Sequence, residues 1–126
     1  MKAESLIKYC ALGYVFQDMG NTISNCLTED EVEDLFDEYE DECYNAMYEL
    51  REGEVMTNIE PPSSRHYESS SVAAKAPNGQ WVGWTYWYGG GKHSCPEEID
   101  WIERSYLLVC KEEVKVVTVL SFTKES

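Results

Sequence analysis

Basic residues are scarce in this sequence. Ten lysines and arginines stand against 24 aspartates and glutamates, which gives a formal net charge of −14. The imbalance belongs to the first half: residues 1–60 hold 16 acids and three bases, whereas residues 61–126 hold eight acids and seven bases. A surface of this sign repels nucleic acid phosphates and anionic membranes. We therefore expect neither as a direct partner and expect a basic protein instead.

Long apolar runs and paired cysteines are also missing. No stretch of about 18 apolar residues could form a membrane span, and the N-terminus lacks a signal-peptide pattern, so we expect a cytoplasmic protein. The five cysteines are an odd, scattered set without a C-x-x-C pair, which disfavours disulfides and a zinc site. Cys10, Cys43 and Cys110 fall in apolar patterns, and we expect buried, reduced thiols there. Nothing in the sequence indicates a cofactor.

The acidic first half, residues 1–52, predicts two helices. The first runs from about Ala3 to Asp18 and carries an apolar side. Thr28 and Glu31 form a capping-box pattern at the start of the second. Apolar residues then recur at spacings of three and four, and Gly53 follows as a C-terminal cap. The pattern predicts one continuous helix of roughly 23 residues, about 35 Å long.

The remaining residues predict a loop and a sheet. Residues 53–71 are rich in proline and serine and predict a connecting loop. In the β-rich half, 72–126, the runs Ser71 to Ala76 and Gln80 to Tyr88 flank a Pro-Asn-Gly turn and should form a hairpin. Glu97 to Ile102 predicts a short helix.

A second hairpin is expected near the C-terminus. Arg104 to Lys111 and Val114 to Thr123 are β-branched or apolar runs. The chain therefore predicts a single α+β domain over residues 1–126, with two N-terminal helices packed on a four-stranded, mostly antiparallel sheet.

The first candidate site is the acidic helix. Ten of the fourteen residues 29–42 are acids. Like charges four residues apart repel by about a few tenths of a kcal/mol each. Such a run is often only a solvated face, but it also suits a surface that imitates a nucleic acid backbone or steers a basic partner. A divalent-ion site is a lesser alternative, since no EF-hand spacing is present. The predicted partner-binding acids are Glu29, Glu33, Asp34, Asp37, Glu38, Asp41 and Glu42.

The second candidate site is the aromatic segment from Trp81 to Tyr88 with the glycines that follow it. Strand alternation places large aromatics on both faces, which either fill both sides of a small sheet or leave one set near the surface. Exposed tryptophan and tyrosine are frequent binding anchors. The glycine run lacks phosphate-loop spacing and is expected to form a turn. The predicted contact residues here are Trp84, Tyr86, Tyr88, Lys92 and His93.

Catalytic residues are not evident. His66 and His93 are the only histidines, and neither has a nucleophile at a spacing that indicates a triad. The alternative function is a small enzyme or ligand-binding domain with its site in the loop from Gly89 to Asp100, where the reactivity of Cys95 depends on its burial. A third possibility is an accessory subunit that dimerises through the aromatic sheet face.

In composition the whole chain, acidic and rich in aromatic residues, resembles the small host-takeover and anti-defence proteins of bacteriophages. Some of these imitate DNA to block restriction, repair or CRISPR nucleases. The resemblance is of composition and matches no residues position by position. It implies a non-enzymatic inhibitor, encoded by a phage or mobile element, that occupies a nucleic-acid-handling protein in the host cytoplasm.

Overall fold

The computed structural model describes residues 1–91, 94–111 and 122–124. The three α-helices are α1 (Ala3–Asp18), α2 (Glu29–Glu38) and α3 (Glu40–Leu50), and the four strands are β1 (Val55–Met56), β2 (Glu68–Lys75), β3 (Trp81–Tyr88) and β4 (Tyr106–Leu108). The strands form one antiparallel sheet in the order β1-β2-β3-β4. The predicted α+β class and antiparallel sheet are confirmed. No helix of these described ranges is both long and apolar enough to cross a membrane.

The central element of the fold is α1. A helix that contacts a single layer buries one stripe, but the buried residues of α1 lie on several sides. They are Ser5, Leu6, Ile7, Tyr9, Cys10, Ala11, Leu12 and Val15. The helix contacts α2 and α3 as well as β2, β3 and β4. The expectation of two helices packed on the sheet is met in part: there are three helices, of which α1 lies on the sheet, and α2 and α3 pack on α1.

The predicted end of α1 is confirmed by its hydrogen bonds. The backbone N–H of Gly20 donates to the carbonyl of Gln17 at 2.9 Å, and that of Asn21 donates to the carbonyl of Phe16 at 2.8 Å. This pair of bonds is a Schellman motif, which needs a left-handed residue. Gly20 supplies it with φ of +78°.

The predicted single second helix is wrong, because the chain bends at Tyr39 between α2 and α3. The capping box is confirmed: Glu31 N–H donates to the Thr28 hydroxyl at 3.2 Å, and Thr28 N–H donates to the Glu31 carboxylate at 3.1 Å. A straight helix of about 35 Å would extend past α1, which is about 24 Å long. The bend lets both Val32 and Cys43 reach the core, where each is fully buried.

The hairpin of β2 and β3 is confirmed, with Val72 opposite Trp84. β2 begins earlier than predicted, at Glu68, because the serines at its start continue the pairing with β3. The segment 53–71 is also not only a loop, since it contains β1, which pairs with β2. Gly53 makes this pairing possible, because a Cβ there would lie 2.4 Å from the Val72 Cβ.

The C-terminal elements are shorter than predicted. A single 3-10 turn, Pro96–Glu98, replaces the expected helix from Glu97 to Ile102. The Asp100 carboxylate accepts hydrogen bonds from the N–H groups of Ile102 and Glu103, a local turn that competes with helix formation. β4 lies within the predicted run from Arg104 to Lys111, while its expected partner, Val114 to Thr123, falls mostly outside the described residues.

The sheet has an inner face toward the helices and an outer face. Val82 and Trp84 point inward and have no solvent exposure. Gly83 points outward beneath β4, where a Cβ would lie 2.7 Å from the side chains of both Tyr106 and Leu108. Because residue 83 has no side chain, the side chains of Tyr106 and Leu108 on the neighbouring β4 can lie across this part of β3.

We predict that Gly53→Ala destabilises the fold much more than Gly20→Ala. Both glycines have nearly the same φ, +80° and +78°, but only Gly53 lies against a neighbour, Val72. Left-handed strain should cost each variant about 1 kcal/mol, and overpacking should add roughly 1–3 kcal/mol at Gly53. Urea denaturation of both variants measures the difference. Equal losses would show that the close contact with Val72 is easily relieved.

Candidate functional site

Two of the predicted partner-binding acids are used inside the fold. Glu29 Oε1 accepts the backbone N–H of Lys2 at 2.9 Å. Glu33 accepts the hydroxyl of Ser5 at 2.8 Å and forms an ion pair with Lys8, with 2.6 Å between Nζ and Oε2. The Lys2 hydrogen bond holds the pKa of Glu29 below its usual value, and the Lys8 hydrogen bond does the same for Glu33. Glu33 therefore joins α2 to α1, and Glu29 joins α2 to the residue just before α1. Their role in partner binding stays a prediction.

The other predicted acids are solvent-exposed. They are Asp34, Asp37, Glu38, Asp41 and Glu42. Across the part of the chain that the structure describes, the one salt bridge is that between Lys8 and Glu33. The exposed acids around the bend are thus available to an external cation.

Two exposed tyrosines on α3 were not predicted as site residues. Tyr44 is 77% exposed and Tyr48 is 60% exposed. Spacings of three and four residues place side chains on one helix face. Asp41, Tyr44 and Tyr48 therefore share one exposed face of α3. We name these three residues, together with the exposed Asp37 near the end of α2 and the exposed Glu52 after α3, the acid–tyrosine stripe. The sequence could have indicated this surface, because Tyr44 and Tyr48 do not belong to the apolar stripe of the predicted helix.

Arg51 connects the acid–tyrosine stripe to the sheet. Its guanidinium carbon lies 5.8 Å from the ring centre of Tyr48 and 4.9 Å from that of Tyr86. The rings of Tyr86 and Tyr88 are in turn 5.2 Å apart. Cation–π contacts at such distances are attractive. The exposed aromatic surface therefore continues from α3 onto the end of β3.

The predicted aromatic contact residues differ in their solvent exposure. Trp84 is fully buried and its indole N–H donates to the Arg51 carbonyl at 2.8 Å, which favours a core role for Trp84 over the predicted partner contact. Tyr86 and Tyr88 are half-buried at the surface beside Arg51. The predicted contacts Lys92 and His93 lie outside the described residues.

The glycine run after β3 has local packing roles. A Cβ on Gly90 would lie 2.7 Å from the Tyr67 ring and 2.9 Å from the His66 carbonyl. The hydroxyl of Ser94 contacts the carbonyl oxygens of Gly89 and Gly91 at 2.9 and 2.7 Å. These contacts account for the loop as a tight turn, as its sequence predicts.

The histidine, cysteine and acidic side chains of the described residues bear on metal binding and on thiol reactivity. No group of three or more histidine, cysteine or acidic side chains among them could hold a metal ion. Burial raises the pKa of the Cys10 thiol to about 12 and that of Cys43 to about 11, so both remain protonated. These two match the expectation of buried thiols, whereas Cys110 is exposed because it lies beyond the end of β4. Cys95 is exposed as well.

The two edge strands of the sheet carry exposed apolar side chains. They are Val55 and Met56 on β1, Leu107 on β4 and Val109 just after β4, and Met56 is 76% exposed. A groove of about 420 Å³ runs between β1 and the end of β4. Dimerisation through the aromatic sheet face remains a prediction.

Comparisons with known proteins identify no relative: the chain matches no protein-family model, no curated protein and no solved structure. Functional inference therefore depends on the residues themselves.

We predict that Glu33→Gln lowers stability at neutral pH but not in acid. A carboxyl whose folded-state pKa is lowered stabilises the fold above its unfolded pKa, near 4.5 for Glu33, and this contribution is lost as pH falls through the folded-state value. The ion pair is partly exposed, so the loss at pH 7 should be below about 1 kcal/mol. Urea unfolding at pH 7 and at about pH 3 measures it. Glu38→Gln is the matched control, and an equal loss there would contradict the assigned role of Glu33.

Proposed function

We propose that this protein is a non-enzymatic binding protein that occupies a basic surface of a nucleic-acid-handling host protein and thereby inhibits or modulates it. The observation that carries the proposal is the acid–tyrosine stripe, in which the exposed Asp41, Tyr44 and Tyr48 share one face of α3 and further exposed carboxylates lie on α2 and just after α3. The composition, which resembles that of phage host-takeover and anti-defence proteins, supports the same function. A cytoplasmic location in the host follows from the proposed target.

The density of negative charge on α2 and α3 supports a DNA-like surface. Ten acids occur in residues 29–42. On α2 alone, seven acids lie along ten residues, or about 15 Å, which gives about one carboxylate per 2 Å of axis. Duplex DNA carries about one phosphate per 1.7 Å. One of the ten, Glu33, is neutralised by Lys8, and the others present a field that a phosphate-binding site would accept.

Negative charge attracts basic proteins in general without selecting one of them. We assign the selective contacts to the exposed tyrosines. Long-range attraction raises the association rate and is screened by salt. Tyrosine buries a large, rigid ring at small entropic cost and is enriched among residues that dominate binding energy. Tyr48 is held by Arg51 in the free protein, so less ordering is required of it on binding.

An affinity capture from bacterial lysate tests the proposal. The tagged protein is incubated with lysate at low and at high salt, and the retained proteins are identified by mass spectrometry. We expect one nucleic-acid-binding protein to be retained at low salt and lost at high salt. We also expect it to be lost when Asp37, Glu38, Asp41 and Glu42 are replaced by their amides. Nucleic acid must be digested beforehand, so that indirect capture is excluded.

A matched variant controls for net charge. Replacing Glu4, Glu60, Glu97 and Glu98 by glutamine removes the same number of exposed carboxylates away from the bend. We expect this variant to retain the captured protein. Equal loss with both variants would show that overall charge, and no particular face, causes retention.

We further predict that Tyr44→Ala and Tyr48→Ala weaken binding of the captured protein by roughly 10-fold or more each. Tyr44 is so exposed that its truncation should leave the thermal midpoint nearly unchanged. Met56→Ala is the control, because Met56 is about as exposed as Tyr44 and lies on β1, outside the acid–tyrosine stripe. Affinity is measured by calorimetry with the purified partner. An unchanged affinity in both tyrosine variants would remove the tyrosines from the interface.

The alternative function, an enzyme or ligand-binding domain with its site in the loop from Gly89 to Asp100, predicts the opposite ranking. Substitution of Lys92 or His93 would then abolish activity, and neutralising the acids of the bend would have little effect. Capture of no specific protein would favour this alternative.

A further inference from the structure

A small cleft lies between the outer face of β3 and the loop that leads to β4. It has a volume of about 310 Å³, near the lower end of small-molecule sites, which hold roughly 300–1,000 Å³. Two indoles, Trp87 and Trp101, line it. Both are half-buried, so each ring has a surface that a ligand can reach.

The fold holds the two tryptophans in place. The ring of Trp101 lies 5.0 Å from that of the fully buried Trp84. The carbonyl of Trp87 accepts a hydrogen bond from the Arg51 guanidinium at 2.8 Å. The Arg51 hydrogen bond fixes the backbone of Trp87, and the contact with Trp84 fixes the ring of Trp101. An aromatic wall that is fixed before binding loses little entropy when a ligand enters.

The charge of the cleft is negative. Asp100 and Glu103 line it together with one base, Arg104. The Asp100 Oδ1 accepts the N–H groups of Ile102 and Glu103 at 3.0 and 3.1 Å, which fixes the carboxylate at the rim. In the described parts of the chain no salt bridge joins Arg104 to either acid. The lining therefore keeps two carboxylates against one guanidinium.

We propose that this cleft binds an organic cation, the ammonium or guanidinium group of a lysine or arginine side chain or a free quaternary ammonium compound. The faces of tryptophan rings attract cations more strongly than those of other aromatic residues. Adjacent carboxylates add Coulomb attraction. The site shares no residue with the acid–tyrosine stripe, so it stands or falls independently of the proposed function.

The first test compares choline with 3,3-dimethylbutanol, which has the same shape without the charge. Each is titrated into the purified full chain, and the indole N–H signals of all four tryptophans are followed by NMR. We expect choline to shift the signals of Trp87 and Trp101 in a saturable way, and the uncharged isostere to bind about 2- to 5-fold more weakly or worse. Equal binding of the two compounds would overturn the proposal.

Two charge variants test the sign of the site without removing a core side chain. Asp100→Asn keeps the oxygen that accepts both N–H groups but removes the charge, and should weaken choline binding about 2- to 5-fold. Arg104→Gln should strengthen it. Glu97→Gln, outside the cleft, should change nothing. The reverse order for Asp100→Asn and Arg104→Gln would indicate an anion site and overturn the proposal.

The source of the cation is found with two further probes. Nα-acetyl-lysine amide and Nα-acetyl-arginine amide are titrated under the same conditions as choline. Tighter binding of either amide identifies a polypeptide side chain as the ligand, and tighter binding of choline identifies a free quaternary ammonium compound. Failure of all three to shift Trp87 and Trp101 up to their solubility limits would overturn the proposal.

Discussion

The two halves of this protein are joined by an exchange of hydrogen bonds between Arg51 and β3. The Trp84 indole N–H donates to the Arg51 carbonyl, and the Arg51 guanidinium donates to the Trp87 carbonyl, both at 2.8 Å. Trp84 is fully buried, and a buried carbonyl without a donor costs about 1–3 kcal/mol. The end of α3 is therefore fixed relative to the sheet, and so is the surface that α3 presents.

Arg51 is an unusual choice for this position. Its side chain is 8% exposed, and within the described residues its Nε has no hydrogen-bond partner. Burying a charge without a counter-ion is expensive, and in a chain with 24 acids a carboxylate partner would have been easy to supply. The rings of Tyr48 and Tyr86 take that place. As a consequence, the contacts that stabilise Arg51 also order the aromatic surface.

Much of the fold is readable in the sequence where local chemistry decides it. The left-handed Gly20, the capping box of Thr28 and Glu31, and the turn before Trp81 each act within a few residues. The bend at Tyr39 could not be predicted in this way, because no proline or glycine marks it. It depends on the length and position of α1, which only the tertiary structure defines.

The candidate site was less predictable for a related reason. Strand alternation places Trp84, Tyr86 and Tyr88 on one face, and nothing local distinguishes them. Their burial differs because α1 and Arg51 cover the strand at Trp84, whereas Tyr86 and Tyr88 lie at its end. The roles of the acids were ambiguous in the same way. Glu29 and Glu33 bond to residues at the start of the chain, and this could be predicted only by knowing which side of α2 faces α1.

The exposed acids Asp34, Asp37 and Glu38 form no ion pair within the described residues, whereas Asp41 and Glu42 lie in the first turn of α3, where carboxylates suit the positive end of the helix dipole. On α2, Asp30 and Asp34 are four residues apart, as are Asp34 and Glu38, and each like-charged pair on a helix costs about a few tenths of a kcal/mol. A solvated helix face needs polarity but not charge of one sign, and alternating lysine and glutamate would satisfy solvation while adding stability. The arrangement thus opposes folding slightly. A basic partner of the kind that we propose would turn this repulsion into attraction.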